Sequence, residues 1–555
     1  MTELLVVIVT AILVIAAATL AGPRLRIAAP LVLVAIGVAA SFLPIFDSTH
    51  IEPEWIIEGV LPPLLYSSAV SMPSMNFRRE FGAISGLSVV LVIGSALLLG
   101  VFFMLVVPEI GFAWGVALGA IVSPTDAVAT SIVKQASVSR RVVAMLDGES
   151  LLNDATALVL LRTAIVATAA SFSFWGAVGT LAYSVVVAVV IGVLAGVLNL
   201  VVRKQVTDPT VNTVISFAVP FIASVPATLL EASGLVAAVV AGLITGIRAP
   251  RDLSPQNRLS DAQNWRTVEL VLEGAVFLTM GVQIKSIVTN VENDHAGVGP
   301  AVLVAAGALV LTVLVRTAYV APLLGILAAR GRRTDRMQAR MQGMHDRMST
   351  VEGKQAAYGE MNSRRKPSER ELDRFAYRVT QALADIEYFQ REPLGWREGT
   401  AVVWAGMRGA VTVAAAQTLP EDTPQRSVLV LIAFAVATLS LLVQGGTIGP
   451  LLSLIKPPVD RAAAEEQTTA ERQRIMELLR NSAAEIPEPP RPEGEPTTAA
   501  FKYAKRHRLE VIRAQRSALL DARDHGTFDA EVLADELATL DAAQIAMEMR
   551  GRFVG

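Results

Sequence analysis

Apolar runs of roughly 20 residues, separated by short polar loops, occupy most of the first 455 positions. They fall near 4–21, 27–44, 55–72, 82–107, 111–133, 142–170, 174–202, 211–230, 233–247, 266–286, 300–329, 398–419 and 427–455. A helix needs about 20 apolar residues to cross the hydrocarbon core of a bilayer, and only helices or closed barrels satisfy their backbone there. The pattern therefore predicts an all-α polytopic membrane protein with about 13 transmembrane helices. The 233–247 run is short and is expected to end in loop or to share a hairpin with its neighbour.

Loop charge adds an orientation. Arg24/Arg26, Arg78/Arg79, Lys134/Arg140/Arg141, Arg203/Lys204, Arg248/Arg251/Arg258 and the 330–397 segment are basic. They alternate with acidic or neutral loops at Asp47/Glu52/Glu54, Glu109, Ser171–Phe174, Glu231, Glu292/Asp294 and Glu421/Asp422. By the positive-inside rule the N-terminus lies outside and the C-terminus is cytoplasmic. Residues 1–455 then form a transmembrane domain with a charged cytoplasmic insertion at 330–397, helical around a loop near Arg364-Arg365-Lys366-Pro367. Residues 456–555 form a cytoplasmic tail. Its Pro-rich piece, 486–497, reads as an extended linker, and 499–550 as a helical hairpin broken at Gly526.

Composition agrees with the pattern. The chain is 53% hydrophobic and 18% charged, with a mean hydropathy of +0.50, unlike a soluble multidomain protein. There is no Cys, so no disulfide framework or thiol chemistry. The net charge of −2 says nothing of nucleic acid, and none is expected as a partner. The start lacks the basic n-region of a signal peptide, so the first run reads as a retained helix.

Against this background a few polar residues stand out. Asp154 lies near the centre of the 142–170 run, with Ser150 one turn earlier on its face. Glu149 and Asn153 share a second face about 100° away. Thr125 and Asp126 lie near the centre of 111–133, beside Pro124, which removes a backbone N–H and disfavours helix at Ser123. Gly406 and Gly409 flank Arg408 in 398–419. Carboxylates are expensive in hydrocarbon and persist mainly where ions or protons pass. Two interrupted helices, near 123–126 and 406–409, are a device by which transporters aim helix ends at an ion.

Asp126, Asp154, Thr125 and Ser150 supply the oxygen ligands that hard cations take. No run contains His, which argues against a transition-metal site, and no cofactor is expected. A carboxylate that binds either a cation or a proton couples the two by competition. Arg408 needs a partner at mid-membrane depth, and Glu149 is the expected one, with Asn153 as a hydrogen-bonding neighbour. Arg162, Lys285 and Arg316 read as snorkelling or vestibule residues, with Glu273 able to neutralise one of them; Asp147 and Glu269 read as structural.

Five segments carry a family resemblance: SPTDAVAT at 123–130, GESLLNDATALVL at 148–160, LPPLLYSSAV at 61–70, LEASGLVAAVVAGL at 230–243 and WAGMRGAVTVA at 404–414. In order and spacing the chain resembles the sodium/proton exchangers of the monovalent cation:proton antiporter-1 family, in their bacterial form with a cytoplasmic tail. The resemblance implies the inverted-repeat antiporter architecture, a core and a dimerisation domain, and a homodimer in the plasma membrane. It implies Asp154 as the main cation and proton carboxylate, with Thr125, Asp126 and Ser150 completing a Na+ site. Asn153, Glu149 and Arg408 would form the supporting network. The Asn153-Asp154 pair goes with electroneutral exchange in that family.

One departure concerns the third run, where Ser67 and Ser68 follow Tyr66 at a place where relatives often carry an acid. The expected activity is exchange of Na+, with Li+ or K+ as options, for H+; a K+/H+ antiporter of the same fold is the alternative. A cation channel fits less well, because a lone central carboxylate between broken helices is not a ring around an open pore. An intramembrane enzyme lacks His, Cys or metal-ligand spacing within the runs.

Overall fold

The computed structural model describes residues 2–25, 28–44, 52–107, 109–126, 128–135, 138–169, 174–294, 297–348, 350–361, 368–455, 461–487 and 498–550. Every regular element among them is a helix. The Arg364–Pro367 loop, most of the Ser171–Phe174 loop and residues 488–497 of the Pro-rich linker lie outside the described residues.

In chain order the helices are α1 (Thr2–Leu25), α2 (Ala29–Ala40), α3 (Leu61–Ser71), α4 (Ser74–Ser85), α5 (Val92–Val106), α6 (Phe112–Val122), α7 (Val128–Gln135), α8 (Arg140–Ala169), α9 (Phe174–Arg203), α10 (Pro209–Leu229), α11 (Gly234–Asp252) and α12 (Pro255–Val282). There follow α13 (Ile284–Asn293), α14 (Val298–Arg347), α15 (Val351–Met361), α16 (Glu369–Arg391), α17 (Trp396–Trp404), α18 (Ala410–Gln417), α19 (Arg426–Ser440), α20 (Gly446–Ile455), α21 (Arg461–Ala484), α22 (Thr498–His525) and α23 (Ala530–Met549). The apolar runs fall largely on helix, with breaks inside 111–133 and 398–419. Nine stretches among the described residues are long and apolar enough to cross a bilayer, and Ala29–Ala40 and Phe112–Val122 are shorter apolar helices. The 233–247 run does not stop in loop: α11 carries on to Asp252 for 19 residues. The two prolines of α3 follow a π-helical turn at Trp55–Val60, where the i→i−4 ladder is already interrupted.

The chain forms two compact units. The first, Met1–Asp252, Ser260–Leu324 and Gly395–Lys456, contains the membrane helices. Small residues let its backbones approach closely. A Cβ at Gly115 or Gly119 of α6 would collide with the carbonyls of Gly100 and Ala96 of α5. This close pairing carries α6 up to its break at residues 123–126.

The second unit comprises Leu253–Leu259, Gly325–Leu394 and Pro457–Gly555, so the insertion packs with the tail. Ile475 and Leu479 of α21 meet Leu519, Val532 and Leu533 in one apolar cluster. Met344, Met348, Ala357 and Val379 form another. Tyr377 Oη donates to the Asp524 carbonyl at 2.9 Å. Gly526, at φ 75°, ends α22, and its N–H and that of Thr527 both bond the Ala522 carbonyl, a left-handed C-terminal cap that glycine adopts without a Cβ clash. Asp529 caps α23 by accepting from Glu531 N. The segment that leads into α12 and its first turn belong here too: Arg258 pairs with Asp541, and Arg516 bonds the Leu253 carbonyl.

Candidate functional site

Two broken helices meet at the centre of the first unit. α6 ends at Val122 and α7 begins at Val128; α17 ends at Trp404 and α18 begins at Ala410. The Asp126 N–H donates to the Met407 carbonyl at 2.7 Å, so one break hydrogen-bonds the other. A helix end leaves carbonyls without intrahelical donors, and in hydrocarbon each must be satisfied by protein. Arg408 serves this need. Its Nε donates to the Val122 carbonyl at 2.9 Å and its Nη1 to the Gly406 carbonyl. Its own N–H donates to Ser440 Oγ at 2.9 Å, and Gln444 Nε2 bonds the Trp404 carbonyl at 3.2 Å.

The pairing expected for Arg408 is therefore corrected. Glu149 is bound by Arg316, read from sequence as a snorkelling or vestibule residue. Both guanidinium nitrogens Nη1 and Nη2 engage the two carboxylate oxygens, the second at 2.7 Å. Sequence distance explains the miss: 167 residues separate the partners, and no spacing rule reports which of two buried arginines reaches an acid. Arg316 also donates from Nε to the Val402 carbonyl at 3.0 Å, which ties α14 to α17.

α8 displays the two faces its spacing implies. On one, Thr125 Oγ1 donates to Glu149 Oε1 at 3.3 Å, and Asn153 Nδ2 donates to Thr125 Oγ1 at 2.5 Å and to the Thr125 carbonyl at 3.3 Å. Glu149, Asn153 and Thr125 thus hold the α6–α7 break against α8. On the other, Ser150 and Asp154 line a cavity of about 110 Å³ together with Pro124, Thr125, Asp126, Glu269, Glu273, Phe277, Gly409 and Thr412. Ser150 Oγ is turned to its own helix, donating to the Asp147 carbonyl at 3.1 Å. Asp126 Oδ1 accepts from Val128 N at 3.0 Å, capping the start of α7. A Cβ on Gly409 would overlap the Asp126 carboxylate, so glycine lets α18 begin against it.

Asp154 is 7% exposed, and its Oδ1 has no hydrogen-bond partner among the described residues. Thr412 Oγ1, fully buried in the same wall, also has none. Buried polar atoms are nearly always paired, and here an orphan carboxylate oxygen and an orphan hydroxyl line one cavity, where a ligand would satisfy both. Sequence reading missed Thr412, although it lies inside the WAGMRGAVTVA segment. Glu273, expected to neutralise Arg162, Lys285 or Arg316, lines the cavity, and so does Glu269, read from sequence as structural. Among the described residues no three acidic or histidine side chains converge tightly enough to hold one metal ion. The cavity offers carboxylate, hydroxyl and carbonyl oxygens, the ligand type that hard cations take. Asp147 pairs with Lys134 at 2.9 Å. Arg162 lines a separate cavity of about 810 Å³ with Glu54, Glu58 and Glu231.

Comparison with known proteins gives a consistent result. The model of the family described as sodium/hydrogen exchanger, transmembrane, matches residues 8–454. An uncharacterized Na+/H+ exchanger of Mycobacterium tuberculosis is 25% identical over 576 residues, covering 98% of this chain and 96% of that protein. A sodium, potassium, lithium and rubidium/H+ antiporter of Bacillus subtilis is 27% identical over 280 residues, 48% of this chain and 41% of its own length. The solved structure of the sodium proton antiporter MjNhaP1 from Methanocaldococcus jannaschii aligns with a TM-score of 0.55 at 15% identity, over 82% of this chain and 100% of that one. That likeness extends to the fold.

Proposed function

The chain belongs to the sodium/hydrogen exchanger family, whose members are multi-pass cation/proton exchangers, and from that premise we propose a secondary antiporter that exchanges Na+ for H+ at Asp154. The observation that carries this reading is the buried Asp154 carboxylate, whose Oδ1 has no hydrogen-bond partner among the described residues, in the wall of a cavity between two broken helices. Such a group is stable only when a proton or a cation neutralises it. Binding of one expels the other, and a carboxylate that alternates between them exchanges one ion for one proton, electroneutrally. Asp126, Ser150 and the backbone around Thr125 complete the cation's oxygen shell, with Thr412 as an added hydroxyl. Glu149, Asn153, Arg316 and Arg408 hold the two breaks in register.

Alternating access would expose the cavity to each side in turn, as one part of a homodimeric protein moves against the other in the plasma membrane. Loop charge orients the N-terminus outside and the tail in the cytoplasm. The acidic cavity at Glu54, Glu58 and Glu231 is then an outer vestibule. A second reading, K+/H+ exchange at the same site, is favoured by the breadth of cations in the name of the Bacillus subtilis relative.

The test is dissipation of a pH gradient in proteoliposomes on addition of Na+, Li+ or K+, with Asp154→Asn as the comparison. We expect a Na+ response that vanishes in the variant while its size-exclusion profile is unchanged. Exchange retained by Asp154→Asn refutes the reading; a response to K+ alone keeps the site and changes the substrate.

A further inference from the structure

The cavity contains two carboxylates that the exchange chemistry of Asp154 does not require. Glu269, Glu273, Val276 and Phe277 line it from α12. Their spacing of four, seven and eight residues is one face of a helix. Glu269 Oε2 accepts from Ser67 Oγ at 3.3 Å. Glu273 has no hydrogen bond or ion pair among the described residues, and no Lys or Arg lies within 4 Å of either carboxylate there. Like charges one helical turn apart repel, and carboxylates inside a membrane-spanning helix are expensive in themselves. Elsewhere in this unit that penalty is offset by a guanidinium: Glu149 has Arg316, Glu80 has Arg141, and Asp261 has Arg203. Along the cavity no guanidinium makes such a contact among the described residues, and Lys134 and Arg266 act on Glu269 only from further off. The independent sign of a ligand here is the orphan Asp154 Oδ1, 93% buried in residue terms, in the same wall.

We propose that Glu273, with Glu269 one turn before it, forms a second station for the monovalent cation, from which the ion passes to Asp154 and Asp126. The assignment rests on the cavity being the exchange site. A wall of carboxylates without contact ion pairs raises the local cation concentration and lowers the desolvation barrier into the cavity. In the proposed orientation α12 starts at the cytoplasmic face, so Glu269 and then Glu273 are met on the way in from that side. The station sets the affinity for the cytoplasmic cation, while Asp154 carries the exchange.

The experiment uses the full-length protein in inside-out vesicles, where the cytoplasmic face is outermost, with exchange followed against Na+ concentration. Glu273→Gln should raise the apparent KM for Na+ about tenfold, the equivalent of ~1.4 kcal/mol of cation binding, with maximal exchange within about twofold of the parent. Glu273→Asp should recover most of the affinity, since it keeps the charge. Glu269→Gln should raise KM by a smaller factor. An unchanged KM in Glu273→Gln overturns the station, as does equal loss of exchange in Glu273→Gln and Glu273→Asp with a normal KM in Glu269→Gln, which is the pattern of a structural residue. Asp154→Asn separates the two readings: if it abolishes exchange while the Glu273 variants behave as the parent, only the station fails, and if it leaves exchange intact, the exchange site itself is misassigned.

Discussion

Two groups of carboxylates share the membrane unit, and they differ in what faces them. Glu80, Glu149 and Asp261 each meet an arginine, and both members of each pair are nearly or wholly inaccessible. Asp126, Asp154, Glu269 and Glu273 line a cavity and form no contact ion pair among the described residues; Lys134 and Arg266 act on Glu269 only from further off. The first group is neutralised inside the protein and can be satisfied in one fixed structure. The second depends on something that enters from water. In a low-dielectric interior an uncompensated charge is the more costly arrangement, so its retention at one place, between two broken helices, sets the proposed transport site apart from the scaffold around it. The same contrast corrects the assignment of Arg408. A buried arginine need not face an acid when helix breaks leave carbonyls for it to bind.

The comparison can be broken from either side. Arg316→Ala strands Glu149 and frees the Val402 carbonyl, and loss of one partner of a buried pair costs about 3–5 kcal/mol. It should give little folded protein, measured as monodisperse yield in detergent. Replacing both Arg316 and Glu149 by Leu should recover much of the yield without the pair. If Arg316→Ala folds normally and only exchange falls, the pair belongs to the transport group.

Gly409→Ala acts on the other group. Its Cβ would displace the Asp126 carboxylate, so exchange should drop by at least about tenfold, a barrier change of ~1.4 kcal/mol, with yield largely kept. Near-normal exchange would show that Asp126 need not hold this position.

Competition predicts the next effect. As pH falls, protonation withdraws the cavity carboxylates from the cation, so the apparent KM for Na+ should rise, by up to about tenfold per pH unit for a single shared proton. A KM that is flat or falls toward acid pH would mean that cation and proton do not share a carboxylate.

The smallest effect belongs to the second unit. Asp541 faces both Arg258 and Arg516 with its side chain partly accessible. Burial lowers the Arg516 pKa, and the neighbouring Asp541 opposes that shift. Asp541→Asn should destabilise the protein by no more than ~1 kcal/mol, because water screens a partly exposed pair. A loss as large as that of Arg316→Ala would show that the contrast between buried and accessible pairs has been drawn in the wrong place.

Much of this was legible before the tertiary structure. Hydropathy alone marked the membrane helices, since no other element closes its backbone hydrogen bonds in lipid. Pro124 and the glycines beside Arg408 marked both breaks, because each weakens helix locally. The i,i+4 spacing on α8 separated Ser150 and Asp154 from Glu149 and Asn153, and those two faces do different work in the structure. What the sequence could not specify were the meetings between distant segments. Glu149 chooses Arg316 rather than Arg408, Thr412 turns an unpaired hydroxyl to the cavity, and Glu269 and Glu273 face Asp126 and Asp154. Periodicity reports which residues share a face of one helix. Which faces of which helices come together depends on close packing across the bundle, and that only the tertiary structure decided.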